Sequence, residues 1–144
     1  MSSAVSVDVI AALAFTWLGM VLAISFLEAP LKFRAPGITT RLGLGIGKLV
    51  FRALNAVEVV ALVVIVVALV VGAPPAVVVI SAVVAGAMLV LQLAAVRPVL
   101  NKRPAAVLAG EDAPRSRAHL FYVGLEVVKV VALVVLGIAA LAAA

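Results

Sequence analysis

Ala118-His119-Leu120-Phe121-Tyr122-Val123-Gly124-Leu125-Glu126-Val127-Val128-Lys129-Val130 opens the last apolar segment of the chain. In it His119, Tyr122, Glu126 and Lys129 follow one another at steps of three, four and three. At 3.6 residues per turn those steps put the four polar side chains on one face of a helix. The remaining positions are apolar or glycine, so the stretch predicts a membrane-spanning helix with a polar stripe. An ionisable group inside a bilayer is costly unless it is paired. The stripe therefore predicts partners on other helices.

Composition extends this reading to the whole chain. Of 144 residues, 67% are hydrophobic and 12% charged, whereas a soluble domain is about half apolar with about a quarter of its residues charged. Mean hydropathy is +1.41. The chain is predicted to be an integral membrane protein. Its net charge of +5 does not point to nucleic acid, because all eleven Lys and Arg residues except Lys129 fall in or beside two connecting segments. That is the pattern of the positive-inside bias. Cysteine is absent, which excludes disulfides, thiolate metal sites and thiol redox chemistry. No Lys or Arg precedes Lys32, so the basic region of a cleavable signal is lacking and the first apolar segment is expected to be retained.

Four spans are expected. The uncharged run 9–27 is long enough for the hydrocarbon layer and predicts a helix over about 9–28, stopped by Pro30. Thr39 or Thr40 caps a second helix over 41–71, longer than a bilayer core, with Lys48 and Arg52 in its first turns. Within it, Gly43-Leu44-Gly45-Ile46-Gly47-Lys48 lacks the spacing of a phosphate loop, has Leu49 in place of Ser or Thr, and follows no strand. Its glycines are read as helix-packing positions. Gly72-Ala73-Pro74-Pro75 is an uncharged turn, and a third helix covers 76–97, ending at Arg97-Pro98. The second basic loop holds Glu111 and Asp112, with a short interfacial helix expected at 105–110; the fourth helix starts at about Ser116 and covers 117–143. The fold class is all-α, an up-down-up-down four-helix bundle in the membrane forming one domain. Both basic loops are expected on the cytoplasmic side of the plasma (inner) membrane and both termini outside.

Depth follows from the helical rise. Taking 1.5 Å per residue, Glu126 lies about 13 Å and Lys129 about 18 Å above Arg117, Glu58 about 9 Å above Arg52, and Gln92 about 7 Å above Arg97. Glu28, Asn55 and His119 fall near the same boundary. One ligand-binding cluster is therefore expected in the basic half of the bundle, made of Glu28, Asn55, Glu58, Gln92, His119, Tyr122, Glu126 and Lys129. The other half offers little beyond Thr16 and Ser81. Glu126 and Lys129 pair along their own helix; Lys129, His119, Arg52 and Tyr122 are the candidate partners of Glu58.

Two roles suit such a cluster. It is either a site for a proton, a cation or a small ligand, with Glu58 and Glu126 as ionisable acceptors and Lys129 as counter-charge, or a staple whose hydrogen bonds set helix register. A metal centre is not expected. Di-metal carboxylate bundles need Glu-x-x-His pairs, and His119, the single histidine, stands seven residues from Glu126. A lone hard cation on Glu28, Glu58 and Glu126 has no supporting pattern. Catalysis is not expected either, with no Cys, one His, and Ser116 the only serine near it. No cofactor is expected.

Three stretches carry a family resemblance. Ser25-Phe26-Leu27-Glu28-Ala29-Pro30-Leu31-Lys32-Phe33-Arg34 follows the first span, Gly47-Lys48-Leu49-Val50-Phe51-Arg52-Ala53-Leu54-Asn55 enters the second, and Arg97-Pro98 with Arg117-Ala118-His119 brackets the last loop. In this order they resemble the transmembrane-protein-205-like family of small four-span membrane proteins, across nearly the whole chain. The resemblance implies architecture, since that family has no established activity. This chain departs from it by placing Glu28, Glu58, Glu126 and Lys129 where the family is mostly neutral, with an amide usual at the position of Glu126.

The expected function is thus a binding or transport protein acting through the polar cluster, or alternatively a non-enzymatic scaffold or accessory subunit of a membrane complex. Expected partners are the bilayer, with anionic lipid at Lys32, Arg34, Arg41, Lys102 and Arg103, and a second copy or another membrane protein; nucleic acid is not among them.

Overall fold

The computed structural model describes residues 2–110 and 117–144. Four helices follow in order: α1 (Ser3–Arg34), α2 (Thr40–Gly72), α3 (Ala76–Leu108) and α4 (Ala118–Ala143), each long and apolar enough to cross a bilayer. Among the described residues there is no strand. In a medium without water a helix satisfies its own interior backbone groups, and only the ends need help. Ser2 caps α1 by accepting the Val5 N–H at 3.3 Å, and Thr39 caps α2 by accepting the Leu42 N–H at 3.1 Å. Ala73 closes α2 in the left-handed region at φ 42°, and Pro74-Pro75 then prevent continuation. The expected start of the fourth helix at Ser116, like Glu111 and Asp112, lies outside the described residues; α4 begins at Ala118.

Two spans run past the prolines expected to end them. α1 continues through Pro30 to Arg34, and α3 through Pro98 to Leu108. Each proline is preceded by a π-helical stretch, Leu22–Glu28 in α1 and Gln92–Val96 in α3. In a regular α-helix the proline ring collides with the carbonyl four residues back and one hydrogen bond is lost. Here the Ala29 N–H bonds to the Ile24 oxygen and the Arg97 N–H to the Gln92 oxygen. That wider register absorbs the proline without ending the helix. The first basic connection shrinks to residues 35–39, and the interfacial helix expected at 105–110 is instead the end of α3, Lys102–Leu108.

α1 packs against both α2 and α4, and α3 packs against α4, while α2 meets α3 chiefly at Lys102–Leu108. α2 and α4 therefore stand on a diagonal of the bundle. One half of the interior is dry, with Ile10, Ala14, Ile65, Val78, Leu133 and Leu136 buried together. Small residues permit this close approach: a Cβ on Gly137 would lie 2.6 Å from Phe15 Cζ. The outer faces expose Val60, Val70, Ile80, Val83, Leu120 and Val131, a belt that suits lipid and not water. By length and composition this is a multi-pass membrane protein.

Candidate functional site

α4 carries Lys129 to the middle of the bundle, where it is 0% exposed. Its Nζ donates to Glu58 Oε1 on α2 in a short contact and to Gln92 Oε1 on α3 at 2.8 Å, and it lies 2.6 Å from Glu126 Oε1 on α4 itself. An ammonium has three protons to donate, and three acceptors from three helices meet it. α1 completes the shell. The Trp17 indole N–H donates to Glu58 Oε1 at 2.9 Å, and the Ser25 hydroxyl donates to Glu126 Oε2 at 2.8 Å. Gln92 Nε2 reaches Glu126 Oε1 and the main-chain oxygen of Tyr122, both at 3.4 Å.

Charge and satisfaction are both uneven in this network. Glu58 and Glu126, each 1% exposed, share the single ammonium of Lys129. With all three groups ionised the cluster carries one net negative charge. Glu58 Oε2 is buried and has no hydrogen-bond partner among the described residues. In a medium of low dielectric both features are expensive. Together they mark Glu58 as the place where a proton or a small cation would complete the cluster.

Toward the basic end, Arg97 forms a second layer. Its Cζ lies 4.8 Å from the ring centroids of both Phe51 and Tyr122, and its Nη2 donates to the Tyr122 hydroxyl at 3.3 Å. The two rings meet edge to face at 6.0 Å. Beyond this layer a cavity of about 410 Å³ opens among all four helices. Ser25, Phe51 and Arg97 line it, so the Ser25 hydroxyl belongs at once to the cavity wall and to the buried network. Away from the basic end the network is backed by the dry core; on that side the exposed Thr16 and the buried Ser81 donate to carbonyls of their own helices.

Of the eight residues expected to converge, the structure brings four into the hydrogen-bonded core of the cluster: Glu58, Gln92, Glu126 and Lys129. Tyr122 joins through its main-chain oxygen, while its ring and hydroxyl serve the Arg97 layer. Three stand apart. Glu28, part-exposed at the end of the π-helical stretch, bonds Lys32 at 3.5 Å. Asn55 is half-buried one turn below Glu58 and forms none of these bonds. His119 lines the cavity, about 15 Å from Lys129 along α4 at 1.5 Å per residue. Among the candidate partners of Glu58, Lys129 is the one chosen.

Sequence reasoning missed Trp17, Ser25 and Arg97. A mid-span tryptophan whose N–H must find an acceptor was a usable signal for the first. Ser25 and Arg97 carried none, because their direction depends on the π-helical stretches. A further signal lay in a repeat: Glu58-Val59-Val60-Ala61-Leu62-Val63-Val64 returns as Lys129-Val130-Val131-Ala132-Leu133-Val134-Val135. The two charged residues thus occupy equivalent positions 71 residues apart, and they are the pair that meets. No cluster of three or more potential metal-binding His, Cys, Asp or Glu side chains occurs among the described residues. Comparison with protein-family models, with curated proteins and with solved structures yields no match to this chain.

Proposed function

We propose that this chain is a non-enzymatic membrane protein whose Glu58–Lys129–Glu126 cluster binds and exchanges a proton, as part of a binding or transport activity entered from the basic end. One observation carries the reading: two buried carboxylates share one ammonium, and the free oxygen of Glu58 accepts no hydrogen bond among the described residues. With both carboxylates ionised, the Glu58–Lys129–Glu126 group carries one more negative than positive charge, which a single proton would balance. Intramembrane carboxylates paired in this way are the usual material of proton relays. The Ser25 hydroxyl, shared by cavity and network, supplies the contact between the bulk phase and Glu126. In the same reading the basic ends face the cytoplasm of the inner membrane and both termini lie outside, supported by the distribution of Lys and Arg. Lys32, Arg34, Arg41, Lys102 and Arg103 then rest on anionic headgroups. Kinship with the transmembrane-protein-205-like family belongs to this proposal too, on the motifs at Ala29-Pro30, Phe33-Arg34 and Arg117-Ala118-His119.

Infrared difference spectroscopy on the reconstituted protein tests it. The wild type is expected to show a protonated carboxyl band that responds to pH and disappears in Glu58→Gln, with Glu126→Gln altering its position while both variants stay folded. If the wild type has no such band and the two variants lose stability alone, the cluster is a staple, and the scaffold or accessory-subunit role replaces the proposal.

A further inference from the structure

The cavity at the basic end has a chemistry of its own. Lys32, Lys48, Arg97 and Arg103 stand on its wall with His119, contributed by all four helices. No Asp or Glu is among its lining residues as described. Lys32 bonds Glu28 at 3.5 Å and the Ala29 oxygen at 3.1 Å, yet its ammonium also leans over Gly47, where a Cβ would stand 3.4 Å from both Lys32 Cε and Nζ. The missing side chain at Gly47 is what lets that charge lie along the wall. Arg97, pinned between Phe51 and Tyr122, has a buried Nε with no hydrogen-bond partner among the described residues. Like charges gathered on one concave surface raise the local potential and favour a counter-anion. The volume of about 410 Å³ falls within the range of small-ligand pockets, roughly 300–1,000 Å³.

We infer that this cavity is a binding site for an oxyanion of the phosphate class, held by Lys32, Lys48 and Arg97. The planar guanidinium suits the bidentate recognition of such groups, and lysines complete it as point charges. Two sources share the chemistry, the phosphoryl headgroup of a membrane lipid and a soluble phosphate. The apolar remainder of the wall, with Phe26, Phe33 and Phe51, accommodates a headgroup with the start of its chain. The site stands whether or not the buried cluster exchanges protons.

The test uses the full chain in a non-ionic detergent, with two probes. One is sodium phosphate against sodium chloride at equal ionic strength; the other is mixed micelles containing phosphatidylglycerol against phosphatidylcholine. Binding is read by titration calorimetry and by the thermal unfolding midpoint. Stabilisation by inorganic phosphate identifies a soluble oxyanion; stabilisation by phosphatidylglycerol alone identifies a headgroup. Either supports the site, provided that Lys48→Gln weakens the affinity about tenfold, as loss of one charge-assisted bond should. Gly47→Leu, which fills the cavity, is expected to abolish it. Arg52→Gln removes the same charge at an exposed position outside the lining and is expected to leave the affinity unchanged. The inference is overturned if neither probe binds, or if Arg52→Gln weakens binding as much as Lys48→Gln does, since diffuse surface charge would then account for the effect.

Discussion

Lys129 is the residue on which the interior depends. A lysine at mid-membrane is unfavourable by about 2.5–3.5 kcal/mol on insertion scales, and here it is wholly buried between two carboxylates and an amide. Removing it alone leaves Glu58 and Glu126 facing each other without a counter-charge. Lys129→Met is therefore expected to destabilise the bundle by about 3–5 kcal/mol, the penalty of breaking a buried pair from one side. Combining it with Glu58→Gln and Glu126→Gln removes the stranded charges and should recover most of that loss. Unfolding by sodium dodecyl sulfate in mixed micelles measures both steps; a neutral Lys129→Met would mean that the ion network contributes nothing to the fold.

Between elements, the question is why these side chains meet at all. α2 and α4 lie on a diagonal, and only long side chains at matching heights reach across it. Glu58 and Lys129 have that match, and each opens the same Val-Val-Ala-Leu-Val-Val run. This predicts that the pair tolerates exchange. Glu58→Lys and Lys129→Glu should each be severely destabilising, whereas the double variant should recover more than half of the combined loss. Recovery stays incomplete because the Trp17 N–H, now 2.9 Å from Glu58 Oε1, would face another donor. The same mixed-micelle unfolding, arranged as a double-mutant cycle, decides it, and strict additivity would sink the idea. α1 and α3 contribute differently. Their π-helical stretches add a residue to one turn and so rotate the remainder of each helix by about 100° relative to a regular one; Ser25 lies within the stretch of α1 and Arg97 directly follows that of α3.

Across the whole molecule the polarity is one-sided. A charged cavity leads from the basic end to the Arg97 layer and the buried network, and beyond that Ile65, Val78, Leu133 and Leu136 close the interior. Because the chain has no cysteine, accessibility can be read without removing any. Ser25→Cys is expected to react with a membrane-impermeant, negatively charged thiol reagent added on the side of the basic ends and not from the other side. Ser81→Cys, in the dry half, is expected to stay unlabelled from both. Mass shifts of the intact protein in oriented vesicles measure this, and labelling of Ser81→Cys at the rate of Ser25→Cys would mean that the dry half is open to water.

The class of the protein, its four spans, the uncharged turn at Gly72-Ala73-Pro74-Pro75 and the placing of Glu58, Gln92, Glu126 and Lys129 in the same half of the bundle were all legible in the chain, because hydrophobic length and helical rise are local properties. Where the spans end was not, since Pro30 and Pro98 stop a helix only if its turns stay regular. The partners of the carboxylates were not legible either. Hydropathy places a residue along the membrane normal but says nothing of its angle around the helix. The His119, Tyr122, Glu126, Lys129 stripe accordingly divides in the folded protein. Its deep half enters the ion network, Tyr122 turns its ring to Arg97, and His119 lines the cavity. Packing decided that division, because a side chain's chemistry in a bilayer is set by which helix covers it.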